Sequence, residues 1–77
     1  MEARQILYPA ALKVGDYILL WPSTNPEISV VREFCTINSM CYVTLANIFT
    51  GDPYMEIPLQ DMVQKEQYML IVQKEPK

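Results

Sequence analysis

No histidine occurs among the 77 residues. The usual general base, the proton shuttle and the commonest metal ligand are therefore all missing. Cysteine occurs twice, at Cys35 and Cys41, too few to complete a tetrahedral zinc site. Glycine also occurs only twice, at Gly15 and Gly51, which excludes a glycine-rich phosphate loop. Between Val14 and Gln64 the sole basic residue is Arg32, set against Asp16, Glu27, Glu33, Asp52, Glu56 and Asp61. The other basic residues, Arg4, Lys13, Lys65, Lys74 and Lys77, sit towards the ends. Nucleic-acid binding relies on Lys and Arg to displace counterions from phosphates, so this acidic body is expected to repel DNA and RNA. No apolar run is long enough for a transmembrane helix. Glu2, Arg4 and Gln5 break up any opening signal peptide. The expectation is thus no membrane, a reducing cytoplasmic setting, and two free, half-buried thiols.

What the chain does have is apolar mass. Half of it (51%) is hydrophobic and 10% aromatic at a net charge of −3, a composition that disorder does not share. A chain of this length buries only about 60% of its unfolded surface, so one small domain with a marginal core is expected. Such cores usually call on disulfides, a metal or self-association.

Turn signals divide the chain into short strands. Met1 to Ala11 is weakly patterned, and Pro9 is placed to start one helical turn that Gly15 ends. Asp16 to Pro22 is apolar on both faces, as a buried strand is, and stops at the loop Pro22-Ser23-Thr24-Asn25-Pro26. From Ile28 to Ile37 the apolar face changes at Arg32 and Glu33, which suggests a bulge or strong coiling. Cys41 to Phe49 forms a third strand, followed by the turn Thr50-Gly51-Asp52-Pro53. Tyr54 to Leu59 alternates cleanly, and Pro58 means that the strand ends or lies at an edge there. The last segment reads as a helical turn at Gln60 to Gln64 and a strand from Gln67 to Gln73, with a C-terminal helix as the alternative. Lys74 to Lys77 is expected to fray. A two-residue loop at Asn38-Ser39 pairs Cys35 with Tyr42, whereas a three-residue loop places Cys35 opposite Cys41.

Strands apolar on both sides must curl to bury both faces, so the expected fold is all-β, a five-stranded small barrel with a helical turn before its last strand. Leu12-Lys13-Val14-Gly15-Asp16 and the strand after it resemble the lead-in of SH3-like barrels, including Tudor-like and KOW-like modules. Glu56-Ile57-Pro58-Leu59-Gln60-Asp61-Met62 resembles the Tudor-type step from the fourth strand into a helical turn. The likeness spans Leu12 to Val72. Small bacteriophage proteins often resemble this chain too. A Tudor-like resemblance implies an aromatic cage for cationic or methylated side chains, here from Trp21, Phe49 and Tyr54 with Asp52 adding charge. KOW-like modules bind RNA through basic loops, and the loops here hold no Lys or Arg.

No catalytic constellation emerges. Pairs such as Asp52 and Glu56 fall in turn or exposed positions, and Ser23, Thr24 and Ser39 have no base beside them. No enzyme, cofactor or metal is therefore expected. Five Met, five Tyr, two Phe and one Trp exceed what so small a barrel hides easily, and exposed apolar surface usually meets another protein. The expected function is protein–protein contact through apolar and aromatic surface with an acidic rim that steers a basic partner. Partner-binding candidates are Trp21, Phe49, Asp52, Tyr54 and Glu56. A homo-oligomer, as a two-fold dimer, is expected to use Tyr8, Tyr42, Met55 and Tyr68. The alternatives are a Tudor-like reader and a viral inhibitor that occupies a basic surface of a host protein.

Overall fold

The computed structural model describes residues 2–72. The protein is mainly β. Six strands, β1 (Glu2–Gln5), β2 (Tyr17–Leu20), β3 (Glu27–Ile37), β4 (Met40–Asn47), β5 (Pro53–Pro58) and β6 (Tyr68–Val72), form one antiparallel sheet in the order β1-β6-β2-β3-β4-β5. Two short 3₁₀ turns, Pro9–Ala11 and Leu59–Asp61, interrupt it. Among the described residues no helix is long and apolar enough to cross a membrane.

This corrects the expected five-stranded barrel. The sheet is open, with β1 and β5 at its two ends. The reason lies in β1, which pairs Glu2 to Val72 and Gln5 to Met69. β6 pairs with β2 on its other side, so neither of its edges is left for β5. Nothing in Glu2-Ala3-Arg4-Gln5 alternates in hydropathy, and this strand was not expected. Its chain continues into Ile6, which is fully buried, forms a parallel bridge to Val63 and accepts a 2.7 Å bond at its carbonyl from the Gln64 amide.

The remaining elements follow their local chemistry. Lys13 donates its amide to the Asp16 carboxylate at 2.8 Å, and Gly15 supplies the positive φ (97°) that turns the chain into β2. β2 ends when Trp21 takes φ 45° and donates its amide to Gln67 O at 3.0 Å. The expected strand ends at Pro22 and Phe49 shorten to Leu20 and Asn47. The helical turn lies at Leu59–Asp61 rather than Gln60 to Gln64. Tyr68–Val72 is a strand, which removes the C-terminal helix alternative. The expected fraying of Lys74 to Lys77 lies outside the described residues.

Ile18, Leu20, Val31, Val43, Leu45 and Ile57 turn to one face and, with Ile6, Leu12 and Met62, make the core. Ala46 and Ile71 are also buried but belong to the opposite face. The expected bulge is present: β3 pairs Val31 with Leu45 and Glu33 with Thr44, leaving Arg32 extra. Past it Phe34, opposite Val43, shares the core face with Val31. β5 carries a second irregularity at Tyr54, between the pairs Leu45–Met55 and Ala46–Pro53.

Candidate docking surface

The predicted partner-binding residues fall in separate places. Trp21 is half-buried, packs against the core and lines a surface depression with Pro22–Thr24 and Gln64–Gln67. Tyr54 and Glu56 line another with Thr44, Pro53 and Met55. Phe49 lines none of the described depressions. It stands 88% exposed on the β4–β5 loop. That loop is held firmly, because Asn47 Oδ1 accepts the amides of Phe49 (2.7 Å) and Thr50 (3.0 Å). Asp52 closes it, its carbonyl accepting the Asn47 amide at 2.9 Å. Tyr54 meets charge from β3: partial burial raises its hydroxyl pKa above 10.0, and the Glu27 carboxylate raises it further.

Of the predicted self-association residues, Tyr8 is exposed just before the first 3₁₀ turn. Tyr42 is half-buried on the face away from the core, opposite Cys35 and Pro58. Met55 and Tyr68 pack against the core cluster, which accounts for part of the aromatic and methionine mass.

The longest exposed stretch of strand lies outside those residues. β3 is eleven residues long, but β2 is only four and reaches no further than Val30. The 13–16 turn then serves Val31, with Val31 N donating to Asp16 O (2.8 Å) and Gly15 N to Val31 O (2.9 Å). Beyond Val31 all six residues, Arg32 to Ile37, are exposed. Phe34, Ile37 and Met40 are prominent in this half of the β3–β4 hairpin, each more than a third exposed. This stretch was not among the expected surfaces; the signal available in the sequence is that the strand expected from Ile28 to Ile37 is longer than the one expected from Asp16 to Pro22.

The hairpin itself is sharply defined. Asn38 (φ 51°) and Ser39 (φ 66°) both take left-handed conformations, the requirement of a type I′ turn. The pairs are Ile37–Met40, Thr36–Cys41 and Cys35–Tyr42, so the two-residue loop is the one adopted. Cys35 and Cys41 thus turn to opposite faces and stay free thiols, and Cys35 is exposed rather than half-buried. A second apolar region lies on the face away from the core, where Met69, Leu19 and Ile28 sit side by side across β6, β2 and β3, all half-buried.

Compared with protein-family models, curated proteins and solved structures, the chain gives no match.

Proposed function

We propose that the chain is a small non-enzymatic protein–protein interaction module that self-associates, most simply as a two-fold dimer. The observation that carries this reading is the uncovered edge of the β3–β4 hairpin, with Phe34, Ile37 and Met40 exposed where β3 outruns β2. Glu33 and Glu56 lie exposed in one cross-strand row at its base, either side of Thr44, with Arg32 folded back to donate to Gly51 O at 3.2 Å. They form the acidic rim that steers a basic heterologous partner. The fold within this reading is SH3-like. β2 to β5 run as a meander, a 3₁₀ turn follows, and β6 returns to pair with β2, with β1 as an addition. Light scattering during size-exclusion chromatography over a wide concentration range tests the reading. A mass that rises towards two chains supports it, and a one-chain mass throughout overturns it.

One observation favours a second reading, the Tudor-like reader. The Tyr54 hydroxyl pKa is raised by burial and then by the Glu27 carboxylate, which sets an aromatic ring in the field of a negative charge that a bound cation wants. Adding a methyl-lysine or methyl-arginine peptide would then shift amide resonances around Tyr54 and Glu27. Unchanged spectra at millimolar peptide would remove this alternative.

A further inference from the structure

We infer that the free edge of β3, from Arg32 to Ile37, is the dimer contact, and that its occupant is the same edge of a second copy, added antiparallel with Cys35 opposite Cys35 at the two-fold axis. This rests on the self-association proposed above and names its surface.

The hairpin geometry decides which backbone groups are free. In a two-residue hairpin the residues flanking the turn form a hydrogen-bonded pair, and such pairs alternate along the ladder. Ile37, Cys35 and Glu33 therefore direct their N–H and C=O groups at Met40, Tyr42 and Thr44. Phe34 and Thr36 turn theirs outward, and among the described residues no loop amide or carbonyl bonds to them. An exposed edge normally carries Lys, Pro or a covering loop that prevents pairing. Phe34-Cys35-Thr36-Ile37 carries none of these, and the six residues are exposed throughout.

Charge favours a second copy at this edge. The segment holds one Arg and one Glu, whereas the rest of the stretch from Val14 to Gln64 holds only acids. It is the place where two acidic chains approach with least repulsion.

Symmetry fixes the register. A two-fold axis through an antiparallel pair requires opposed residues to share a face, so their numbers sum to an even value. Pairing Glu33 with Glu33 puts like charges face to face. Pairing Thr36 with Thr36 sets Phe34 against the turn residue Asn38. Pairing Phe34 with Phe34 recruits Arg32, whose ladder position the bulge disrupts. The remaining arrangement bonds Phe34 to Thr36 of the second copy and Thr36 to its Phe34, using only the groups that already face outward. Its central pair is Cys35 with Cys35, a non-hydrogen-bonded pair with Cα atoms about 4.5 Å apart. That spacing is within the range a disulfide bridges.

The test combines strand-blocking with thiol trapping. Thr36→Pro removes an outward N–H from each chain, two of the four central hydrogen bonds, without taking a donor from the β3–β4 ladder. Thr36→Lys adds a charge to the edge and serves should the proline variant misfold. Either substitution is expected to weaken the dimer by roughly tenfold or more in a dilution series, with amide spectra showing the fold retained. Diamide accepts the two electrons and two protons that leave a thiol pair. It is expected to give a disulfide-linked dimer from the unmodified chain and from Cys41→Ser, none from Cys35→Ser, and a slower reaction in the Thr36 variants. A folded Thr36→Lys chain that dimerises as tightly as the unmodified protein overturns the edge while leaving self-association intact. Trapping through Cys41 instead of Cys35 overturns the register. A chain that is monomeric at every concentration overturns both the edge and the reading beneath it.

Discussion

Ile6 offers a sharp test of how the N-terminal segment belongs to the fold. It is fully buried, whereas its neighbour Leu7 is 58% exposed. Ile6→Ala deletes three buried carbons. At about 0.8 kcal/mol for each, the transfer loss is roughly 2.4 kcal/mol, and the cavity brings the total to about 3 kcal/mol. A 77-residue domain has a stability of only about 4–12 kcal/mol, so a large share of it is lost. With a urea m-value of about 1 kcal/mol per M, the unfolding midpoint falls by roughly 3 M. Leu7→Ala, on the same stretch of chain, is expected to cost under about 1 kcal/mol. Urea titrations of the three chains, followed by the fluorescence of Trp21, supply the comparison. An Ile6→Ala cost as small as that of Leu7→Ala would refute the reasoning. It would mean that the first strand decorates an independent sheet instead of completing its core.

Three further outcomes follow from local chemistry. Ser29 is fully buried and its hydroxyl has no hydrogen-bond partner among the described residues, so Ser29→Ala is expected to raise stability by about 1 kcal/mol in the same urea assay; a loss of stability would show a bonded hydroxyl. Ser39 holds φ 66°, and Ser39→Gly should stabilise by about 1 kcal/mol, since glycine enters that region at no steric cost; no gain would contradict a type I′ turn. The Tyr54 hydroxyl is raised above 10.0 first by burial and then by Glu27. The folded chain therefore holds that proton more firmly than the unfolded one, and this contribution to stability, full below pH 10, is lost as pH climbs through the raised value. Glu27→Gln should lower the Tyr54 pKa measured by NMR without returning it to 10.0; an unchanged value would separate the two groups.

Much of the local structure was legible because it rests on side-chain type. A turn at Asn38-Ser39 follows from the two β-rich runs around it, though its two-residue length is settled only by the structure, and the bulge follows from the apolar face changing at Arg32 and Glu33. β1 was not legible, because Glu2 to Arg4 are exposed and join the sheet through backbone bonds that any sequence can make. The open sheet followed from the same omission: two-sided apolar strands call for curling, but whether the ends meet depends on which strand takes the free side of β6. The candidate surface was only partly legible. Counting aromatics pointed to Tyr8, Tyr42, Met55 and Tyr68, yet the core takes up Met55 and Tyr68. Phe34 and Ile37 emerge as exposed because β3 outruns its neighbour, a comparison of strand lengths rather than of residue types.

The central claim is that uncovered apolar surface draws two chains together. A dilution series read amide by amide in heteronuclear NMR spectra, alongside the rotational correlation time, tests it most directly. The account predicts a tumbling time that lengthens with concentration and shifts concentrated at Phe34, Cys35, Thr36 and Ile37. Spectra and tumbling that stay those of one chain from the most dilute sample to the most concentrated would contradict it.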